Sequence, residues 1–197
     1  TNAPLVCDAS SEFFARRMHI DRHALMFGGA QKNLGPSGIA LVIIRKDMIE
    51  GALRAVPSMF DYARHAKSGS RMNTPPVFGV YCMNLVFQWI LDQGGVDEIA
   101  VRNTAKAKLI YDAIDHSGGF YRGHSHAECR SEMNITFNLP DEELEGRFIR
   151  EAAENSMVNL KGHRSVGGIR ASIYNAFPVQ GCEALAGFMN DFASRNG

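Results

Sequence analysis

The sequence predicts an α/β fold followed by a smaller α+β domain, on three observations. In the first half, short apolar runs end in turns of small and polar residues, the pattern of buried strands in a layered sheet. The run at residues 39–44 (IALVII) is apolar at every position, as in a strand buried on both faces. In the second half, helical patterns surround an alternating strand at 133–139 (MNITFNL), which is typical of a sheet with one solvated face.

The first half contains three predicted strands, a loop and a long helix. Strands are expected at 5–7, 24–27 and 39–44, with one helical turn at 12–17. Residues 57–74 are mostly polar and predict a long loop. A helix follows that begins at Pro75, with Thr74 as its N-cap, and runs through Val77 to about Asp92. Gly94 and Gly95 end it, and we place a domain boundary there, between domains 1–94 and 95–197.

The second half predicts three helices and three strands. Helices are expected at 96–116, 140–155 and 178–194, and strands at 133–139, 157–160 and 169–174. Helices packed on an alternating sheet give the smaller α+β domain.

Composition excludes several classes of protein. The 197 residues include 21 Lys+Arg and 21 Asp+Glu, so neither a strongly basic nucleic-acid binder nor a polyacidic tail is expected. No apolar run reaches the ~20 residues that span a bilayer. The four cysteines lie far apart and form no CxxC pair, which favours free thiols in a reduced, cytoplasmic compartment and predicts no metal site.

Lys32 follows the second predicted strand, within the segment GGAQKNLGPSG. Most lysines lie on solvated faces, but the small residues here allow a ligand to approach the backbone closely. A partly buried lysine at a strand end has a lowered pKa and suits Schiff-base chemistry. The rival interpretation is that the glycine-rich turn cradles a phosphate, but neither GxGxxG nor GxxxxGK[ST] is present, so a nucleotide site is only weakly indicated. On the residues alone, all three interpretations stay open.

Asp8 ends the first predicted strand, as Lys32 follows the second, so both are expected at the same edge of the sheet. A carboxylate there suits the protonated ring nitrogen of pyridoxal phosphate. An Asx turn or helix cap for the following residues explains Asp8 equally well.

A cationic cluster occupies residues 161–170 (LysGlyHisArgSerValGlyGlyIleArg). Arg170 lies in an otherwise apolar stretch, where a buried arginine needs an anionic partner. Its guanidinium matches carboxylate or phosphate oxygens in a bidentate way, so the cluster indicates an anionic small-molecule substrate. A solvated arginine on an edge strand is the alternative.

Four segments resemble the phosphoserine aminotransferases, a family in the class V branch of the fold type I pyridoxal phosphate enzymes. In chain order they are GGAQKNLGPSGIALVIIRKD, MNTPPVF, LKGHR and GGIRASIYNA, and the resemblance covers essentially the whole chain. It implies that residues 1–94 are the C-terminal part of the large cofactor-binding domain, a mainly parallel sheet with helices. Residues 95–197 would then be the small α+β domain.

The resemblance also implies roles for the cofactor residues. Lys32 would be the catalytic residue that forms the Schiff base with pyridoxal 5'-phosphate, Asp8 would pair with the pyridine nitrogen, and Gln31 would contact the cofactor phosphate. Asn73 and Thr74 would reach across a homodimer to the cofactor phosphate of the other subunit.

The substrate residues follow in the same way. His163 and Arg164 would hold the substrate phosphate, and Arg170 the α-carboxylate. The implied reaction moves an amino group between glutamate and 3-phosphohydroxypyruvate, giving phosphoserine and 2-oxoglutarate in serine biosynthesis. A phosphorylated hydroxythreonine of pyridoxine biosynthesis, or a different aminotransferase of the same branch, remains an alternative.

Family members carry a further N-terminal region about as long as this chain. Its ring-stacking aromatic residue and phosphate-binding loop have no match here, and the chain opens without Met directly into a predicted strand. We therefore expect the C-terminal half of such an enzyme. The alternative is a non-catalytic fragment or remnant that lacks the cofactor cup.

Overall fold

The computed structural model describes residues 3–50 and 56–197, in two units, Thr1–Asp97 and Glu98–Gly197. Unit 1 contains a three-stranded sheet of β1 (Val6–Asp8), β2 (Leu25–Gly29) and β3 (Ala40–Ile44), in that order. β1 pairs with β2 in parallel, and β2 pairs with β3 antiparallel. The three predicted strands are confirmed, but β3 is only partly buried because it is the last strand of the described sheet.

The helices of unit 1 are α1 (Lys46–Glu50), α2 (Tyr62–Lys67) and α3 (Val77–Asp92). A fourth helix, α4 (Gly95–Asp115), begins in the last residues of unit 1 and continues into unit 2. The loop predicted over 57–74 is wrong in part, because it contains α2. The Asp61 carboxylate starts this short helix by accepting hydrogen bonds from the backbone N–H groups of Ala63 and Arg64, at 3.0 and 3.3 Å.

The predicted start of α3 is also wrong. Its N-cap residue is Pro76, and Thr74 makes no cap. Pro75 precedes a second proline, which disfavours the helical conformation at Pro75 and delays the helix by two residues.

The predicted helical turn at 12–17 forms only a tight turn. Phe13 donates its backbone N–H to the carbonyl of Ala9, but Phe14 is left-handed, at φ 59°, which stops a helix. The Phe14 ring packs against Phe87 of α3 with 5.0 Å between centroids, so packing compensates for the unfavourable backbone. Beneath this turn, the core of unit 1 comprises Ala9, Phe13, Met26, Ala30 and Leu34.

Unit 2 has an antiparallel sheet of β4 (Arg122–Gly123), β5 (Asn134–Asn138) and β6 (Ile169–Ser172), in that order. Its helices are α4, α5 (Glu142–Glu154) and α6 (Val179–Asn196), so the three predicted helices are confirmed. The strand predicted at 157–160 is wrong, because Asn159 has the left-handed φ of 63°. The short strand β4 was not predicted.

The two faces of this second sheet differ. One face packs against the helices around Phe148, whose ring lies 6.0 Å from that of Phe137 and 5.2 Å from that of Phe192. The opposite face carries the side chains of Asn134, Thr136, Asn138, Arg170 and Ser172, all at least partly exposed. None of the helices in the described ranges combines the length and apolar character needed to cross a membrane.

Candidate functional site

Asp8 and Lys32 lie at one edge of the first sheet. β1 and β2 run in parallel, Asp8 is the last residue of β1, and Lys32 follows the end of β2 by three residues. Both side chains are exposed, and the charge of Lys32 contributes to lowering the pKa of Asp8. The structure therefore brings a carboxylate and an amine together where the carboxyl ends of strands commonly bind ligands.

Ser10 fixes the Asp8 carboxylate. Its hydroxyl and its backbone N–H both donate to Oδ1 of Asp8, at 2.5 and 2.9 Å. The hydroxyl contact is the main cause that lowers the pKa of Asp8, followed by the backbone contact. Asp8 is thus ionised at neutral pH, and its Oδ2 has no hydrogen-bond partner within the described residues. The Asx-turn geometry and a ligand-binding role are therefore compatible.

The same hydroxyl reaches the end of β2. The backbone N–H of Gly29 donates to Oγ of Ser10 at 3.2 Å, so Ser10 links the last residue of β2 to the last residue of β1. A side chain at the preceding Gly28 would place its Cβ 2.8 Å from the Phe13 ring and 2.9 Å from Cα of Ser10. Glycine at position 28 thus allows the segment that carries Ser10 to approach β2.

The turn that carries Lys32 is anchored by its neighbours. Asn33 is buried and donates through Nδ2 to the carbonyl of Ser11, at 2.9 Å. Leu34 is buried in the core of unit 1, and its N–H donates to the carbonyl of Ala30 at 3.0 Å. With both following residues fixed, the Lys32 side chain projects from a defined backbone.

Gln31 lies against Gly29. A Cβ on Gly29 would overlap the Gln31 side-chain amide, so this amide folds back over the end of β2. A polar group able to donate hydrogen bonds therefore stands beside Lys32 at the same sheet edge.

Asn73 and Thr74 precede α3 and are exposed. The Asn73 amide donates to the carbonyl of Thr74 at 3.0 Å. In the described parts of the chain, no hydrogen bond or ion pair joins either residue to Asp8, Gln31 or Lys32. The structure does not bring this pair into the Asp8–Lys32 site of the same chain.

His163 and Arg164 lie in a closed loop of unit 2. Gly162 donates its N–H to the carbonyl of Gly168 at 2.8 Å, and Gly167 donates to the carbonyl of His163 at 2.8 Å. Nδ1 of His163 contacts the Ser165 hydroxyl at 2.8 Å. Arg164 is exposed and has no ion pair with a described residue, which leaves its guanidinium open to an anion.

Arg170 lies on β6 opposite Thr136 of β5. It is partly buried, and its Nε is a buried donor without a hydrogen-bond partner among the described residues. An unpaired buried donor is costly, and a carboxylate ligand would satisfy it. Of the two interpretations of Arg170, the structure favours anion binding over simple solvation.

Sequence reasoning missed the roles of Ser10 and Asn33. The Asx turn that the sequence offered for Asp8 is confirmed by the Ser10 N–H bond, but the second role of the Ser10 hydroxyl was not predicted. Its contact with Gly29, like that of Asn33 with Ser11, depends on tertiary packing. No cluster of His, Cys, Asp and Glu within residues 3–50 and 56–197 could hold a metal ion.

Known proteins are similar to this chain along its whole length. A family model described as aminotransferase class-V matches residues 1–185. A phosphoserine aminotransferase of Herpetosiphon aurantiacus is 54% identical over 194 residues, covering 98% of this chain and 54% of the relative. The phosphoserine aminotransferase structure from Bacillus circulans subsp. alkalophilus matches with a TM-score of 0.93 and 48% identity, covering 100% of this chain and 55% of its own.

A pyridoxal-phosphate-bound phosphoserine aminotransferase from Trichomonas vaginalis is also similar, with a TM-score of 0.89 and 38% identity. That match covers 96% of this chain and 54% of the solved one. The chain thus spans about half the length of the curated relatives it matches.

The bond from Ser10 predicts a titration shift at Asp8. Ser10→Ala removes the hydroxyl that contributes most to lowering the pKa, so the pKa of Asp8 should rise toward its ordinary value of 3.8. In the wild type, the stabilisation from Asp8 is present above that value and is lost as the pH falls through the lower folded-state pKa. Carboxyl ¹³C NMR titration measures both pKa values. Ser11→Ala is the control, because Ser11 contributes only its backbone carbonyl to the turn and the substitution keeps it. An equal shift of the Asp8 pKa in both variants would contradict the role assigned to the Ser10 hydroxyl.

Proposed function

The chain belongs to the class-V aminotransferases, and we propose that it forms the C-terminal part of a phosphoserine aminotransferase that uses pyridoxal 5'-phosphate. The observation that carries the proposal is the ionised Asp8 carboxylate beside the Lys32 amine at one sheet edge. The relatives named phosphoserine aminotransferase, at 54% and 53% identity, support the choice of reaction within the family.

The residues of unit 1 fit this cofactor. Bound pyridoxal phosphate supplies an electron sink that stabilises negative charge on the substrate α-carbon. Asp8 offers an unpartnered carboxylate oxygen, which suits a protonated ring nitrogen. Lys32 would hold the cofactor covalently, and once released its amine would serve as the base that takes the proton from the substrate α-carbon. Gln31 offers its amide to the cofactor phosphate.

The residues of unit 2 fit the substrates. Arg170 offers a buried Nε donor to the α-carboxylate that both substrates carry. Arg164, with His163 beside it, offers donors to the phosphate of 3-phosphohydroxypyruvate. Glutamate has a side-chain carboxylate instead of that phosphate, so one cationic loop serves both substrates in turn. A phosphorylated hydroxythreonine precursor would use the same groups.

The same function implies a division of the chain into two domains and a place in metabolism. Residues 1–94 form the last strands of the cofactor-binding domain, and residues 95–197 form the small domain. The reaction belongs to serine biosynthesis, and the four free cysteines support a cytoplasmic location.

A second candidate is a non-catalytic C-terminal fragment. The outer side of β1 has no strand partner in the described sheet, and Leu5 and Val6 are exposed there. An unpaired apolar edge of this kind is usually covered. We infer that the region present in the longer relatives covers it, so the chain alone is expected to bind the cofactor more weakly than a full-length enzyme.

Lys32→Ala tests the attachment of the cofactor. With pyridoxal phosphate added to the full-length enzyme, borohydride should fix the cofactor to Lys32, and peptide mass spectrometry should locate the added mass there. Lys32→Ala should show no fixed cofactor, while Lys46→Ala, which removes an exposed lysine of α1, should behave like the wild type. Fixation on another lysine in the Lys32→Ala variant would overturn the assignment. The same experiment on the 197-residue chain decides between the two candidates.

The two arginines predict different losses. Losing a charge-assisted bidentate contact costs about 2–5 kcal/mol when its partner stays buried. Arg170→Ala should lower kcat/KM for glutamate and for 3-phosphohydroxypyruvate alike, because both carry an α-carboxylate. Arg164→Ala should affect the phosphorylated substrate much more than glutamate. The control is Arg150→Ala, an exposed position on α5, and equal losses for both substrates in Arg164→Ala would remove Arg164 from the phosphate site.

The proposed enzyme is a two-fold homodimer in which Asn73 and Thr74 serve the cofactor of the other subunit. The apolar residues that follow them are exposed, with Val77 at 65% and Phe78 at 77%, as expected of a face that another chain covers. Phe78→Glu should therefore shift the full-length enzyme toward monomer in sedimentation velocity and weaken cofactor binding. Val158→Glu, at a position 66% exposed in unit 2, is the control. A fully active wild-type monomer would contradict this role.

A further inference from the structure

Lys106 is a buried lysine of α4, 3% exposed, and no carboxylate among the described residues pairs with it. Its ammonium donates to the backbone carbonyls of Ile173, Tyr174 and Phe177, at 3.1, 2.8 and 3.2 Å. The carbonyl of Asn175 is also near, at 3.5 Å. The ammonium therefore occupies a cluster of carbonyl oxygens, much as a bound monovalent cation would.

Burying this charge has a cost in free energy. Burial lowers the pKa of Lys106, and a charge on Cys182 would oppose that shift, so the ammonium is buried at a cost in solvation. Apolar side chains often replace buried charges at no cost in stability. What an apolar residue cannot do is hold several converging carbonyl groups at one point.

The segment that Lys106 holds is the turn at 173–177, directly after β6. A second buried residue of α4, Asn103, donates from Nδ2 to the Asn175 side-chain oxygen at 2.9 Å. The Tyr174 hydroxyl donates to Oδ1 of Asn134 on β5, at 3.0 Å. β5 holds β6 itself along its length, and the backbone N–H of Ile173 donates to the carbonyl of Met133 at 2.9 Å, so α4 adds its contacts at the turn beyond the strand.

Arg170 depends on the placement of this strand. β6 has only four residues, and its N-terminal side is held by the bond from the Arg170 N–H to the carbonyl of Leu160, at 2.7 Å. The Arg170 Nε has no partner among the described residues, and no ion pair there fixes the guanidinium. The direction of the guanidinium is thus set by the backbone of β6.

We propose that Lys106 is a positioning residue for Arg170, a tethered cation that holds the turn at 173–177 and so keeps β6 in the place from which Arg170 meets the substrate α-carboxylate. This inference rests on the proposed function for its substrate, but the effect on β6 is a property of unit 2 alone.

The experiment compares Lys106→Met with Arg170→Ala and with the double variant in the full-length enzyme. Lys106→Met should raise KM for L-glutamate at least fivefold with kcat within twofold of the wild type. In the Arg170→Ala background, the same change should alter KM by less than twofold, because residues that act through one another give non-additive effects. The control is Lys108→Met, an exposed lysine two positions along α4, which should leave KM unchanged.

Amide hydrogen exchange gives a readout that does not need activity. Peptides covering 169–177 should exchange faster in Lys106→Met, while those of α5 should not change. If Lys106→Met does not fold, Lys106→Gln replaces it, because the glutamine amide still donates two hydrogen bonds. The same comparisons then apply, with a rise in KM for L-glutamate smaller than that expected of Lys106→Met.

Unchanged exchange over 169–177, or an increase in KM that multiplies with that of Arg170→Ala, would overturn the proposal. A wild-type enzyme that moves no amino group from glutamate would instead refute the proposed function. In that case, the exchange measurement still decides whether Lys106 holds β6.

Discussion

The hydroxyl of Ser10 joins the ends of two parallel strands, accepting from the N–H of Gly29 and donating to the Asp8 carboxylate. The site of unit 1 depends on this joint. A shift at either strand end would change the distance between Asp8 and Lys32 as well as the pKa of the carboxylate. A second hydrogen bond, from the Asn33 amide to the Ser11 carbonyl, fixes the turn that carries Lys32. A charged pair is thereby held on a rigid backbone while both side chains stay exposed to a ligand.

In unit 2, the guanidinium of Arg170 is oriented without an ion pair to any described residue. A carboxylate partner in the protein would fix Arg170 but would also compete with the proposed substrate carboxylate for its donors. The structure fixes the backbone instead: β5 and the Leu160 carbonyl hold one part of β6, and the buried ammonium of Lys106 holds the turn beyond it. A donor of Arg170 remains buried and unpartnered among the described residues.

The sequence predicted those features that depend on local pattern. Apolar runs located the strands of the first sheet, and their ends placed Asp8 and Lys32 at one edge. The start of α3 was wrong because the effect of Pro76 on the preceding residue outweighs a favourable cap. The double contact of Ser10 requires that β1 and β2 be adjacent. Lys106 resembles any solvated lysine on a helix until the turn at 173–177 is placed over it. Tertiary contacts, which leave no periodic trace in the chain, account for these two misses.

We propose that the Asp8 carboxylate, fixed beside Lys32, keeps the ring nitrogen of the bound cofactor protonated. The ¹⁵N chemical shift of labelled pyridoxal phosphate, bound to the full-length enzyme, measures that protonation directly. We predict a pyridinium shift in the wild type and the shift of a neutral pyridine in Asp8→Ala. A neutral nitrogen in the wild type, or the same shift in both proteins, would contradict the claim.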